Sequence, residues 1–352
     1  MFLKNKKHLI YLFVLIAFIL VYLSFFNTGR QIKKIWFGQD IKIAVLIYGS
    51  EDVLPKNLEA FYIYINTNSR LVKVLSINTD IKINAKQTLS QSFFSAAKKD
   101  LAFAKENLFA NLEILSANHF KPDYYFAATF KDISQMLILT GKPSKLILMD
   151  EFKNLDDKEI TQLIIAELLL DRMSRFPLVS SLSFMRNLKH FDTNLSKSFF
   201  INLSLFFAIY KNEIFFCIFP VRRTSAGVQL LKDDIANFFN NVFLQDADNN
   251  EGRLDGFVEV RNASNITGAA QNAAWRLRME ELDVLDFGNW PISADETIIK
   301  DRKGNFMQAK KIAKVLGVGK IINAYDEYHN YDTTVFIGQD YKIKDTGEMD
   351  EL

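Results

Sequence analysis

The block from Phe257 to Tyr341 most constrains what this 352-residue chain folds into. It opens with F-V-E-V-R-N and closes with T-T-V-F-I-G-Q-D-Y, and both runs read as strands. Between them lie two helical patterns and one more short strand, so the block reads as a small α/β module. The G-V-G-K at Gly317 is a helix-to-strand turn within it. Lys314 stands where a phosphate-binding loop needs its first glycine, and Ile321 stands where it needs Ser or Thr.

The other end of the chain carries an address. Leu9 to Phe26 is an apolar and aromatic run interrupted only by Ser24, and at about 1.5 Å per residue it reaches roughly 27 Å, enough to cross a bilayer. No small-residue cleavage pattern follows, so the run reads as an uncleaved single-pass anchor. Lys4, Lys6 and Lys7 precede it and Arg30, Lys33 and Lys34 follow it, so charge does not orient it.

The chain has 43 Lys+Arg against 41 Asp+Glu, without the basic excess that nucleic-acid binding favours, so no nucleic-acid partner is expected. Cys217 is the only cysteine and excludes an internal disulfide; in I-F-F-C-I-F it reads as a small buried hydrophobe of a strand. The 32 phenylalanines fit an AT-rich genome as well as a lipid-binding role.

Asp246 to Gly256, D-A-D-N-N-E-G-R-L-D-G, reads as a linker. The division expected is a cytoplasmic start at 1–8, the anchor at 9–26, a juxtamembrane linker at 27–39, a body at 40–245, the linker at 246–256, the module at 257–341 and a polar tail at 342–352. The body opens with strands I-K-I-A-V-L-I-Y-G and A-F-Y-I-Y-I-N, a turn at Thr67 to Ser69, and strand L-V-K-V-L-S-I-N. Helical patterns follow at Ser92 to Leu115 and Ile160 to Met173, with strands at Lys145 to Met149 and Ile214 to Phe219. Ser198 to Tyr210 is too short for a second span and reads as a buried helix. The fold class is α/β: a mixed sheet flanked by helices, then a small α/β module.

The C-terminal block resembles the LytR C-terminal domain of bacterial cell-envelope proteins. The resemblance rests on V-E-V-R-N from Val258, Gly268 opening a helix, Leu277, D-V-L-D-F-G-N from Asp283, T-I-I-K-D before Arg302, I-A-K-V-L from Ile312 and I-G-Q-D-Y from Ile337. The body is similar to a LytR-CpsA-Psr catalytic domain. The likeness lies in the paired strands ending at N-T-D, in L-E-I-L-S-A-N-H-F-K-P-D-Y-Y-F-A-A-T-F-K-D-I, and in F-D-T-N-L-S from Phe191. The resemblance implies a short cytoplasmic start, with the chain beyond about Asn27 outside the cytoplasm at the bacterial inner membrane.

That family moves a glycopolymer from a polyprenyl pyrophosphate carrier to the cell wall. Charge gathers on phosphate oxygens in this reaction, so arginine forks and a carboxylate-held Mg²⁺ are the expected stabilisers. The family's Pro-Arg-Asp motif is Asn78-Thr79-Asp80 here, keeping the acid and losing the arginine. The acid that starts the preceding strand falls on Leu58, with Glu59 adjacent. The Gly-x-Asp-x-Arg element is Y-G-S-E-D-V, offering Glu51 and Asp52 and no arginine. The arginine-rich element expected after Asn154 is I-T-Q-L-I-I-A-E-L-L-L, with Arg172 and Arg175 arriving later.

The candidate catalytic residue is therefore Asp80. Candidate metal ligands are Asp80, Glu59 and Asp52, and candidate anion-binding residues are Arg172, Arg175, Arg222 and Arg223. Each has a structural alternative: Asp80 as a turn residue, Glu51, Asp52 and Glu59 as solvated acids, Arg172 and Arg175 in surface ion pairs, Arg222 and Arg223 as loop charge. The four histidines show no metal-ligand spacing. Two readings follow. One is a non-catalytic scaffold or ligand-binding module without a cofactor, contacting polyprenyl-linked glycan, peptidoglycan or an envelope protein. The other is a divergent phosphotransferase using Mg²⁺ and relocated arginines.

Overall fold

The computed structural model describes residues 29–49, 58–84, 86–116, 118–129, 131–133, 170, 191–210, 213–224, 227–230, 232–244, 256–326 and 328–343. The apolar run at 9–26, Asp52, Arg172, Arg175, the strand expected at 145–149 and the linker at 246–255 lie outside them, as does the helix expected at 160–173 except for Leu170. Among the described residues no helix is long and apolar enough to cross a membrane.

Helix α1 (Gly29–Trp36) leads into strand β1 (Asp40–Tyr48), which pairs antiparallel with β2 (Leu58–Asn66), and β2 with β3 (Leu71–Ile77). The turn between β2 and β3 is made by Asn66, whose Oδ1 accepts the backbone N–H groups of Asn68 and Ser69, both at 3.0 Å. The helical pattern at Ser92 to Leu115 resolves into two helices, α2 (Leu89–Ala97) and α3 (Leu101–Leu115). The break has a local cause: the Asp100 carboxylate accepts the Ala102 N–H at 2.9 Å and starts a new helix. Strand β4 (Tyr124–Thr129) then runs parallel to β1, and the short β5 (Asp192–Thr193) closes that side.

Helix α4 (Lys197–Ile209) is the buried helix expected at Ser198 to Tyr210, with Phe199, Phe200, Phe206 and Phe207 in the core. Strand β6 (Glu213–Ile218) follows, then the hairpin β7 (Val221–Thr224) and β8 (Gly227–Leu230), helix α5 (Lys232–Phe238) and a π-helical turn at Phe239–Phe243. The buried Lys73 ammonium donates to the Val242 carbonyl of that turn.

The C-terminal block folds as β9 (Val258–Asn262), α6 (Ala269–Met279), β10 (Val284–Asn289), β11 (Ile298–Asp301), α7 (Phe306–Leu316), β12 (Lys320–Asn323) and β13 (Thr333–Ile337). The sequence reading placed one strand between the outer two, and the structure has three. Four-residue β11 and β12 are too short for periodicity to register, and β10 is an edge strand carrying Asp, Gly and Asn. Gly317 ends α7 at φ +75°, the left-handed cap expected of the helix-to-strand turn. The Arg276 guanidinium, buried beside Tyr341, donates to the Val315 and Leu316 carbonyls and so satisfies the end of α7.

All but β7 and β8 belong to one eleven-stranded sheet in the order β10-β9-β13-β11-β12-β6-β3-β2-β1-β4-β5. The seam between body and C-terminal block is the parallel pair β12 and β6, with Ile322 opposite Phe216 and Asn323 opposite Cys217. Around it Phe306 of α7 meets Phe215 at 4.4 Å and Tyr325 meets Phe238 at 6.2 Å. Cys217 is buried at this seam, and burial pushes its thiol up to about 12.

Within the body both faces are covered. Val45, Phe61, Val74 and Phe126 join the core beneath α1 and α4, whereas Leu46, Tyr62, Leu75 and Phe215 join the core beneath α2, α3, α5 and the π-turn. In the C-terminal block α6 and α7 cover the face of Val258, Val260, Ile299 and Val335. The other face is mapped by register: one row runs Asp286, Glu259, Thr334, Lys300, and the next runs Gly288, Arg261, Phe336, Ile298.

Candidate anion-binding edge

Strands β1, β3, β4 and β6 all end at one edge of the sheet, where β2 begins. Parallel and antiparallel pairing together therefore collect residues far apart in sequence. Asn78, Thr79 and Asp80 leave β3 here. Asn78 Oδ1 accepts the Asp80 N–H at 2.9 Å, and the Thr79 hydroxyl donates to the Leu58 carbonyl at 2.8 Å. Thr79 and Ile81 carbonyls accept the N–H groups of Ser90 and Leu89, and Thr88 forms a capping box with Gln91. The first turn of α2 is thus satisfied by protein, and Asp80 is held exposed in the turn beside it.

The β7–β8 hairpin folds back onto this turn. Ile81 bridges Val228, Lys82 N–H donates to the Val228 carbonyl at 3.4 Å, and Val228 pairs with Arg223. With strands about 4.8 Å apart, the backbone of Arg223 runs roughly 10 Å from that of Ile81. Arg222 and Arg223 were expected in a loop; they belong to strand β7 because Arg222 pairs with Gln229 across a hairpin closed at Gly227, φ +112°. Arg222 is exposed. Lys82 joins this group unannounced by sequence: a Cβ built on Gly227 would lie 3.2 Å from its Cε and 3.7 Å from its Nζ. The only sequence signal for Lys82 is its position two residues past Asp80.

Glu59, expected to be solvated, is buried at 4% exposure. It sits opposite Ile47 in β2, and alternation turns it to the face of Phe61, while its neighbours Leu58 and Ala60 face the other core. Two further acids border the edge. The Thr129 hydroxyl donates to Asp132 at 2.5 Å, and Asp192 accepts the Tyr125 hydroxyl at 3.1 Å and pairs with Lys105. Burial first, then the charges of Asp192 and Asp132, raise the Tyr48 phenol above its ordinary value.

These acids do not assemble round one ion. Asp80 follows β3 and Asp132 follows β4, three strand steps or roughly 14 Å apart, whereas Mg²⁺ holds its oxygens at about 2 Å. Among the described residues no three His, Cys, Asp or Glu side chains come together to hold a metal. The described edge carries two basic residues, Lys82 after the Asp80 turn and Arg222 on the hairpin bridged to it.

Residues 257–341 match the family described as LytR cell envelope-related transcriptional attenuator. They are a LytR C-terminal domain. In this domain Gly268 caps α6 at φ +77° and the V-E-V-R-N run is β9, paired between β10 and β13. No curated protein matches the chain. Among solved structures, TagV of Bacillus subtilis is 12% identical, covering 56% of this chain and 94% of its own, with a TM-score of 0.41. TagT bound to LIIa-WTA is 15% identical, covering 57% and 88%, with a TM-score of 0.38. Protein gbs0355 from Streptococcus agalactiae is 12% identical, covering 59% and 88%, with a TM-score of 0.43. At this distance the likeness bears on neither activity nor ligand.

Proposed function

We propose that this is a cell-envelope protein, anchored through residues 9–26 at the bacterial inner membrane with its bulk outside the cytoplasm. Its body is a LytR-CpsA-Psr-like scaffold that binds the diphosphate of a polyprenyl-linked glycopolymer without transferring it. The family match of the C-terminal domain carries the envelope assignment. Binding rather than transfer is favoured by the spread of acids along the strand-end edge, where Asp80 and Asp132 lie on either side of two intervening strands. The absence of arginine from N-T-D and Y-G-S-E-D-V points the same way.

A second reading, a divergent phosphotransferase, is favoured by one observation: the hairpin that carries Arg222 folds back onto the Ile81–Lys82 segment next to Asp80, so cations from outside the family's motifs lie along this edge. One experiment separates the two. A polyprenyl diphosphate is titrated into the full-length protein with Mg²⁺, and both binding and phosphate release are followed, beside Asp80→Ala. Binding without release, weakened by neutralising Lys82 and Arg222, is the expected result; release that disappears in Asp80→Ala establishes the enzyme instead.

A further inference from the structure

The face of the C-terminal sheet turned away from α6 and α7 is built unlike a protein core and unlike a bare surface. Arg261 lies flat across β10, above Gly288, where an added Cβ would come within 2.9 Å of its Nη1. It is held on one side by Glu259 and on the other by Asp286, the latter at 2.6 Å. Burial works against the Arg261 charge, but the two carboxylates outweigh it and raise the guanidinium above its ordinary value. Beside this group Trp290 meets the edge of Phe336 at 4.9 Å and an interplanar angle of 75°, and Lys300 lies 5.3 Å over the same phenylalanine. Phe336 is 9% exposed and Trp290 is 42% exposed, so the buried ring fixes the orientation of an indole open to solvent.

An oriented aromatic flanked on one sheet face by charged donors and acceptors is the chemistry that recognises a sugar. Ring C–H groups lie on the indole, and hydroxyls and amides, which both donate and accept, meet Asp286, Lys300 and the exposed edge of Arg261, which Glu259 holds from beneath. A protein core pressed on the same face would strip the remaining water from Asp286, Lys300 and Arg261, which disfavours a second copy or an apolar partner. We infer that this face is a glycan-binding platform, taking an extended chain of N-acetylated sugars with Trp290 as its anchor. The platform deepens the cell-envelope reading above and rests on it for its biological ligand, but it lies on different strands from the anion-binding edge.

The test is calorimetric titration of the full-length chain in detergent with the N-acetylglucosamine hexamer, beside Trp290→Ala, Trp290→Phe and the double variant Lys82→Ala/Arg222→Ala. Binding by the parent, weakened about tenfold or more in Trp290→Ala, partly restored in Trp290→Phe and unchanged in the double variant, is expected. The thermal unfolding midpoint of each variant is measured alongside, since an exposed indole carries little stability. The inference fails if the parent does not bind the hexamer, or if Trp290→Ala binds it equally well. It also fails if Trp290→Ala changes the sedimentation coefficient of the free chain, which identifies the occupant as a second copy. Polyprenyl diphosphate binding, read in the same samples, reports on the edge alone, so loss of either reading leaves the other standing.

Discussion

The two halves of the sheet show how coverage writes itself into sequence. In β2, L-E-A-F-Y-I-Y-I-N, seven of nine residues are buried because α1 and α4 lie on one face and α2, α3 and the π-turn on the other. In β9, V-E-V-R-N, the valines face the helices, and the opposite face carries Glu259 and Arg261, the acid buried beneath its ion pair with the half-buried arginine. A strand covered on both sides has no polar face left to alternate with. The comparison also separates the kinds of site each half offers. The body presents polar groups at strand ends, where coverage stops, while the C-terminal block carries a charged row on its second face that reaches solvent along the β10 rim, at Asp286 and Trp290.

The comparison is broken most severely if the halves are independent. Removing residues 257–352 uncovers β6 along its Phe216 and Cys217 pairing and strips Phe306 from Phe215. The truncated chain is expected to aggregate or to lose its cooperative thermal transition. Cys217 gives a second readout: its thiol, held near 12 by burial, resists alkylation in the native protein and reacts in the truncated one. A monomeric truncated chain with a sharp transition and a protected thiol would show that the shared sheet is not a shared folding unit.

A smaller probe of the seam is Phe306→Ala, expected to lower stability by about 3–5 kcal/mol, because the ring is buried against Phe215 in the core of the body although it belongs to α7. Chemical denaturation followed separately by signals from each half should show one common shift. Shifts confined to the C-terminal signal would break the coupling.

Asp301 provides a pH test. Its Oδ1 accepts the N–H groups of Lys303, Gly304 and Asn305 at 3.1, 2.8 and 2.9 Å, and its Oδ2 accepts from Asn323 at 3.0 Å. Burial nevertheless raises its carboxyl above the ordinary carboxylate value, outweighing these bonds. The folded state then holds this proton more tightly than the unfolded state. Its stabilising contribution is fully present below the unfolded carboxyl range and is lost as pH rises through the folded pKa. Asp301→Asn keeps the Oδ1 acceptor and is expected to flatten this fall in a series of melts across pH. Asp301→Ala leaves three N–H groups without their acceptor and costs about 3 kcal/mol. A pH profile unchanged in Asp301→Asn would show that Asp301 is not the group responsible.

The smallest stability effect belongs to the edge. Lys82→Ala with Arg222→Ala should leave the melting curve within about 0.5 kcal/mol of the parent and weaken polyprenyl diphosphate binding by about 2–3 kcal/mol. Unchanged binding would move the anion site away from the hairpin.

How much of this was legible beforehand depended on the range of the interaction responsible. Strands β1 to β3, the buried α4, the buried Cys217 and the Gly317 turn follow from side-chain periodicity, local steric preference and hydrophobicity, which act over a few residues. The C-terminal domain was legible because its conformationally special and alternating positions keep their spacing. Glu59 was misjudged because the residues that bury it come from other strands and helices. Arg222 and Arg223 were misplaced because a hairpin is defined by the strand opposite as much as by its own residues.

By itself, then, the sequence determined the class of fold, the C-terminal module and the apolar segment that suggests an anchor, since each is a local pattern of hydrophobicity and turn chemistry. Only the tertiary structure decided that body and module share one sheet through β12 and β6, that the hairpin of Arg222 folds back onto the segment after Asp80, and that Trp290 and Arg261 share one face. Those are pairings between distant segments, and their register is set by which faces must be buried together.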